Sequence, residues 1–173
     1  MVINLIIRQE NEKEYKEVYN LIRAAFFSAE HSDGNEQDLV DALRNSTAFI
    51  PQLSLVAEQD GRIVGHILFT KAAVGGKTVL ALAPLSVLPD YQRRGIGSAL
   101  IKKGHETAAS LGYEYALVLG SDRYYPKFGY VPAAGFGIEV PDGMPPSNFM
   151  AVKLKKSAGK ISGGVKYADE FGI

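Results

Sequence analysis

The chain has 173 residues, 46% hydrophobic and 22% charged, which suits one soluble globular domain with a sizeable core. Its 19 basic residues balance 19 acidic ones, so no global field favours a nucleic-acid-coating protein and no nucleic-acid partner is expected. Cysteine is absent, which excludes a disulfide frame, a thiolate metal site and a thiol nucleophile.

The N-terminal stretch "MVINLIIRQENEKEYK" lacks the basic n-region and small-residue cleavage site of a signal peptide. No apolar run approaches the roughly 18 residues needed to span a bilayer. A cytoplasmic protein with no membrane partner is therefore expected. Val2–Arg8 is short and β-branched and predicts a strand. Asn11 followed by Glu14 predicts a capping box, and Val18, Leu21, Ile22, Ala25 and Phe26 then recur at helical spacing. The polar loop "SAEHSDGN" breaks that helix. "EQDLVDALR" predicts a second, short helix with Leu39, Val40 and Leu43 as its apolar stripe.

Strand signals follow. "LSLVAEQ" and "RIVGHILFTKAAV" flank Asp60-Gly61, and Gly75-Gly76 separates the second of these from "TVLALAPLSVLP". Short turns between three strands predict an antiparallel meander. After Gly97 a helix carries Leu100, Ile101, Gly104, Ala108 and Leu111 on one stripe, with Gly112 placed to end it. "YALVLG" (Tyr115–Gly120) reads as a buried strand. Because strand, helix and strand succeed one another, the two strands are predicted to run parallel. "DRYYPKFGY" predicts a helical turn closed by Gly129, and "FGIEV" and "FMAVKL" the closing strands. The Gly/Ser/Lys-rich end is expected to be mobile unless Val165, Tyr167 and Phe171 tack it to the body.

The loop "YQRRGIGSAL" (Tyr91–Leu100) sits between a strand and a helix. A helix N-terminus leaves four backbone N–H groups without partners and carries about half a positive charge, which together favour an anion, phosphate above all. Gly95 and Gly97 lack a Cβ and allow close approach to the backbone, and Arg93 and Arg94 add charge at the rim. A phosphate loop of the Gly-Lys-Ser/Thr kind is absent, and the third glycine of a dinucleotide fingerprint is replaced by Leu100. On spacing alone, the two glycines could equally ease a tight strand-to-helix turn. Pro84 fits a bulged strand or one with an unpaired side better than a fully paired central strand.

"VLPDYQRRGIGSALI" resembles the acetyl-CoA-binding motif of the GNAT superfamily of N-acetyltransferases, Gln/Arg-x-x-Gly-x-Gly/Ala, with Gln92, Gly95 and Gly97 at the three fixed positions. The resemblance runs from Val2 to Leu154. It is strongest to a branch of small prokaryotic N-acetyltransferases that shares "VGHILF", the "PLxVLPxYQxxGIGxALI" stretch and "YYxxFGYxPA". It implies an α/β (α+β) fold, the GNAT acyl-CoA N-acyltransferase fold: a mixed, mostly antiparallel sheet with a splayed parallel strand pair and flanking helices. A single domain would cover residues 1–154, with 155–173 a partly packed or mobile tail. The cosubstrate implied is acetyl-CoA, with no metal and an amine as acceptor; a homodimer is compatible with the family. The loop residues Gln92, Arg93, Arg94, Gly95, Ile96, Gly97 and Ser98 would hold the coenzyme A pyrophosphate. Leu85, Ser86 and Val87 would offer backbone groups to the pantetheine arm.

Acetyl transfer needs a deprotonated amine, a stabilised thioester oxygen and a proton for the leaving thiolate. The resemblance places Tyr125, of the Tyr-x-x-x-Gly-aromatic pattern ending at Gly129-Tyr130, near the coenzyme sulfur as proton donor; Tyr124 is read as packing. Family members often carry an asparagine just upstream, where this chain reads Ser121-Asp122-Arg123. For the base, Glu30, His31, Asp33 and Glu36 lie in the segment that borders the acceptor site in this fold. His66 interrupts an apolar strand and is either a satisfied core residue or, if it faces the acceptor cleft, the base, since its reference pKa is near neutral. Water is a third route. Two further readings stand beside the enzyme: a non-catalytic acyl-CoA-binding sensor or partner module, and a phosphate-ligand binder outside the family.

Overall fold

The computed structural model describes residues 4–27, 29 and 32–173. It opens with β1 (Leu5–Gln9), the described part of the predicted first strand; Val2 and Ile3 lie outside the described residues. The capping box forms: Asn11 Oδ1 accepts from the Lys13 N–H, and the Glu14 carboxylate accepts from the Asn11 N–H. It opens a short 3-10 turn that runs straight into α1 (Tyr15–Phe26). After α2 (Glu36–Arg44) come β2 (Ser54–Gln59), β3 (Arg62–Val74) and β4 (Lys77–Val87), the predicted meander. Asp60 and Gly61 both take positive φ (51° and 83°), as do Gly75 and Gly76 (54° and 84°), the backbone of tight two-residue hairpin turns. The chain continues through α3 (Ile96–Ser110), β5 (Tyr115–Leu119), β6 (Val131–Pro132), β7 (Phe149–Lys153) and β8 (Val165–Lys166).

The strands form one mixed sheet in the order β1-β2-β3-β4-β5-β7-β6, with β8 added against β3. Every pair is antiparallel except β4 with β5. Helix α3 packs on one face, where Ile96, Leu100, Ile101 and Ala108 meet Leu55, Val64, Ile67, Phe69 and Val118. Helices α1 and α2 cover part of the other face, where Val18, Leu21, Ile22, Val40 and Leu43 meet Val56, Ile63 and Leu68. The alternation of apolar residues in β2 and β3 serves both faces, which is why these strands read as almost unbroken apolar runs. Among the described residues, no helix is long and apolar enough to cross a membrane.

Two expectations need correction. "FGIEV" does not make a strand: a 3-10 turn covers Ala133–Phe136, Gly137 turns at φ 86°, and only Ile138 bridges, to Gly163. Leu111 falls off the stripe of α3, which ends at Ser110, and is exposed. The C-terminal segment lies against the body: β8 pairs with Ala73 and Val74, Ile161 is buried, and Tyr167 stacks on Phe171.

Candidate active site

The parallel pairing of β4 with β5 is registered only at Leu80–Ala116 and Ala81–Leu117. Beyond that point the two strands part. On its other side β4 stays paired with β3, but the register slips between Ile67 and Phe69, whose partners are Leu85 and Leu82. Ala83 and Pro84 occupy the resulting bulge, so the proline sits where a missing ladder donor costs little.

The ladder phase then decides which way the end of β4 faces. The Leu88 N–H donates to the Val64 carbonyl at 2.9 Å. Hydrogen-bonded and non-hydrogen-bonded pairs alternate in an antiparallel ladder. The registered pairs Gly65–Val87 and Ile67–Leu85 are therefore of the non-hydrogen-bonded kind. The backbone groups of Leu85 and Val87 point away from β3 into the gap left by β5. Gln92 Nε2 donates to the Val87 carbonyl at 3.0 Å. That bond holds the peptide between Val87 and Leu88, and the Val87 N–H, in the peptide before it, is a donor directed into the gap.

The N-terminus of α3 closes the gap from one end. Gly95 is the N-cap at φ 84°, with no side-chain cap, and the first helical bond runs from the Ala99 N–H to the Gly95 carbonyl. The N–H groups of Ile96, Gly97 and Ser98 precede it and have no helical partner. Arg93, at φ 63°, also takes a left-handed conformation. The two motif glycines serve different ends. A Cβ at Gly95 would meet nothing within 4 Å, so its need is conformational. At Gly97, φ is ordinary, but a Cβ would lie 2.7 Å from the Tyr124 hydroxyl and 3.7 Å from Leu85 Cδ2. Space, not φ, requires glycine there.

These groups surround a cleft of about 500 Å³ lined by Leu85, Val87, Gln92, Arg93, Gly95, Ile96, Gly97 and Ser98, together with Tyr91, Tyr124 and Lys127. Eight sequence-predicted positions thus meet at one cavity. Four others lie elsewhere. Ser86 alternates to the far face of β4 and is buried. Arg94 stacks on Tyr91, with its guanidinium carbon 5.3 Å from the ring centroid. Tyr125 stands next to the cleft wall, its partly exposed ring edge-on to the wall residue Tyr124 at 5.2 Å and to Tyr130 at 5.6 Å. His66 is fully buried.

The tyrosine on the cleft wall is Tyr124, which the sequence reading set aside. The turn over Tyr125–Phe128 is 3-10, with three residues per turn, so consecutive side chains diverge by about 120°. Of the two adjacent tyrosines, one then faces the cleft and the other turns toward Tyr130 and the Gly120 backbone. Burial pushes both phenols above their ordinary value, Tyr125 well above. Lys127 lies over the Tyr124 ring at 5.6 Å and adds charge to the rim.

His66 belongs to a polar network under α1 and α2. Arg44 grips Glu10 through Nε at 3.0 Å and Nη2 at 2.9 Å, and its guanidinium carbon lies 4.0 Å from the Tyr15 ring centroid. Ser54 donates its hydroxyl to Glu10 at 2.5 Å, so its oxygen accepts from His66 Nε2 at 3.0 Å. Glu10 Oε2 is also 3.8 Å from that nitrogen, but this is no ion pair. Burial, and then the Arg44 charge, lower the His66 pKa to about 3 and keep the ring neutral. A ring so placed neither reaches the cleft nor takes up a proton near neutrality, which answers the question of its facing in favour of the core.

This burial has a measurable consequence. Below a pKa of about 6.5 the unfolded chain binds a proton at each histidine, whereas native His66 waits until about pH 3 and His105 until about pH 4. The unfolded state therefore holds more protons in this window, and stability is full above pH 6.5 and falls as pH drops. Urea denaturation between pH 7 and pH 5 should show this loss, with a slope approaching about one proton per buried histidine. A flat profile would show that these two rings protonate in the native state.

Of the acidic loop candidates, Glu36 accepts from the Ser32 hydroxyl at 2.5 Å and Asp33 is exposed. Glu30 and His31 lie outside the described residues.

A family model described as "Acetyltransferase (GNAT) family" matches residues 15–130. The chain is 37% identical over 142 residues to the uncharacterized N-acetyltransferase YjhQ of Escherichia coli K12, covering 78% of each chain. It is 29% identical over 171 residues to YhbS of the same organism, covering 96% of this chain and 98% of YhbS. The crystal structure of E. coli YhbS in complex with CoA is similar with a TM-score of 0.89 and 26% identity, covering 100% of this chain and 94% of that one. A GNAT family acetyltransferase from Brucella melitensis, in complex with acetyl-CoA, is similar with a TM-score of 0.80 and 32% identity, covering 97% and 98%.

Proposed function

The chain belongs to the GNAT family of acetyltransferases, and from that premise we propose that it moves the acetyl group of acetyl-CoA to a primary amine by direct attack on the thioester. The acceptor is a small molecule or a peptide or protein amine. The observation that carries the reading is the meeting of two sets of unpaired backbone groups at one cleft: the Leu85–Val87 edge of β4 and the first N–H groups of α3.

The residues present fit the cosubstrate. The N–H groups of Ile96, Gly97 and Ser98, backed by the helix dipole, suit the pyrophosphate, and Arg93 and Lys127 add charge at the rim. The free backbone groups of Leu85 suit an amide of the pantetheine arm, which would bind as an added strand, while the Val87 carbonyl is held by Gln92 and its N–H stays open. Val87 N–H then donates to the thioester oxygen as negative charge develops there. The amine nitrogen bonds to the acetyl carbon, the carbon–sulfur bond breaks, and the sulfur leaves with the electron pair.

Tyr125 supplies the proton that the thiolate takes up. Desolvation raises its phenol, which stays protonated throughout the physiological range. The same desolvation raises the basicity of a thiolate beside it, so donor and acceptor remain matched. His66 takes no part, the proton of the attacking amine leaves through water, and water returns a proton to the partly exposed Tyr125 phenolate.

Calorimetric titration with acetyl-CoA tests the donor half. Thiol release against a panel of primary amines tests the transfer, and with no cysteine the protein contributes no background to a thiol assay. Tight acetyl-CoA binding with no thiol release from any amine would favour a sensor instead. Gln92→Ala isolates the Val87 peptide. It is expected to lower kcat about threefold to tenfold, the worth of one hydrogen bond, with acetyl-CoA affinity nearly unchanged. A loss confined to affinity would instead make Gln92 a coenzyme contact.

A further inference from the structure

Behind the cleft lies a polar pair that acetyl transfer as described does not use. His105, on the third turn of α3, is wedged between two aromatic rings, with centroids 6.1 Å from Phe69 and 5.4 Å from Tyr130. Its Nε2 lies 2.9 Å from the Tyr130 hydroxyl. Tyr130 is 1% exposed, and His105 is the hydrogen-bond partner of its hydroxyl. Burial lowers the His105 pKa to about 4 and keeps the ring neutral, and in the Nδ1–H tautomer its Nε2 accepts the phenolic proton.

Packing alone does not explain the pair. A phenylalanine at 130 would fill the same layer without a hydroxyl to satisfy, and a buried hydroxyl is costly unless it is bonded. What the hydrogen bond adds is orientation. It ties the Tyr130 ring to a rigid helix, and that ring meets Tyr125 edge-on, with centroids 5.6 Å apart at 75°. Two further contacts seat Tyr125, whose ring stays partly exposed. Tyr124 meets it edge-on at 83°. A Cβ at Gly120 would come within 2.4 Å of Tyr125 Cε2, so its ring lies directly on the glycine backbone. Gly120 is itself held from both backbone groups by Asn148: its N–H donates to the Asn148 carbonyl at 3.0 Å, and Asn148 Nδ2 donates to its carbonyl at 2.9 Å.

We propose that His105 is a positioning residue for Tyr125: its hydrogen bond to Tyr130 fixes the ring against which Tyr125 is seated, and so sets the direction of the Tyr125 hydroxyl. The inference rests on the reading of Tyr125 as proton donor. His105 does not line the cleft, and it acts through two rings.

The test uses thiol release from acetyl-CoA with hydroxylamine as the acceptor, together with acetyl-CoA affinity by calorimetry. His105→Leu and Tyr130→Phe are each expected to lower kcat by up to about tenfold, the range of one hydrogen bond, with acetyl-CoA affinity unchanged. His105→Gln, which retains an acceptor, restores most of the rate. In a Tyr125→Phe background, His105→Leu has no further effect. If His105→Leu leaves kcat unchanged, or lowers it by the same factor in the Tyr125→Phe background, the positioning role is wrong while the donor assignment stands. If Tyr125→Phe itself turns over like the wild type, the donor assignment fails and the inference with it. A second readout needs no turnover. In ¹³C-tyrosine-labelled protein, the Tyr125 ring, assigned by its loss in Tyr125→Phe, should flip faster in His105→Leu than in the wild type. Equal flip rates would overturn the proposal.

Discussion

Gly97→Val is expected to weaken acetyl-CoA binding by about a hundredfold or more. The substitution is mild for the fold. Gly97 has no positive φ, and the buried contacts of α3 begin at its neighbours Ile96 and Leu100. It is severe for the cleft. The Cβ alone would lie 2.7 Å from the Tyr124 hydroxyl, and the two methyl groups reach further toward that hydroxyl and Leu85, both walls of the same cavity. A phosphate is then kept from the N–H groups behind the side chain. Hydrogen bonds to a charged group are worth about 1.5–3 kcal/mol each, so losing two of them accounts for the hundredfold. Gly97→Ala should cost less, because the hydroxyl it meets is the end of a side chain that can move aside. Calorimetry on both variants, with thermal unfolding as the control for folding, decides the matter. Normal affinity in Gly97→Val would remove this loop from coenzyme binding.

Tyr125→Phe is expected to lower kcat by at least about a hundredfold, the low end of what a positioned general acid contributes. Acetyl-CoA affinity should be kept. One oxygen is lost, while the ring contacts with Gly120, Tyr124 and Tyr130 remain. Tyr124→Phe makes the necessary comparison, since Tyr124 lines the cleft and its hydroxyl lies over Gly97. A large loss of kcat in Tyr124→Phe with none in Tyr125→Phe would transfer the donor role to the neighbouring tyrosine. Unchanged turnover of Tyr125→Phe at every pH would take it out of the mechanism.

Local chemistry made much of the frame legible. Asp60-Gly61 and Gly75-Gly76 dictate tight turns wherever they fall, and the strands on either side have little choice but to pair. The capping box at Asn11 and Glu14 is satisfied within four residues. The spacing of Gln92, Gly95 and Gly97 likewise describes a turn that one segment completes alone. Where an expectation missed, a distant partner or a competing local signal decided. Phe136–Val140 has strand-like residues, but Gly137 turns the chain. For the C-terminal segment, Gly and Ser left motion and packing both open, and the edge beside Ala73 and Val74 receives it as β8.

The acceptor half shows the same divide. Nothing in the strand around His66 says which face its ring takes, because one residue of register exchanges the two sides of a strand. Only the assembled sheet turns it under α1 and α2, beside Ser54 and a glutamate that Arg44 already holds. The sequence by itself determined the family, the meander and the loop with its two glycines, since each depends on residues close together along the chain. Tertiary structure alone decided that β5 leaves β4 after Ala81, that the Leu85 and Val87 backbone faces the gap, and that Tyr124 lines the cleft while Tyr125 is seated against Tyr124 and Tyr130. Those outcomes depend on ladder phase and on contacts between residues far apart in the chain, which a linear pattern does not encode.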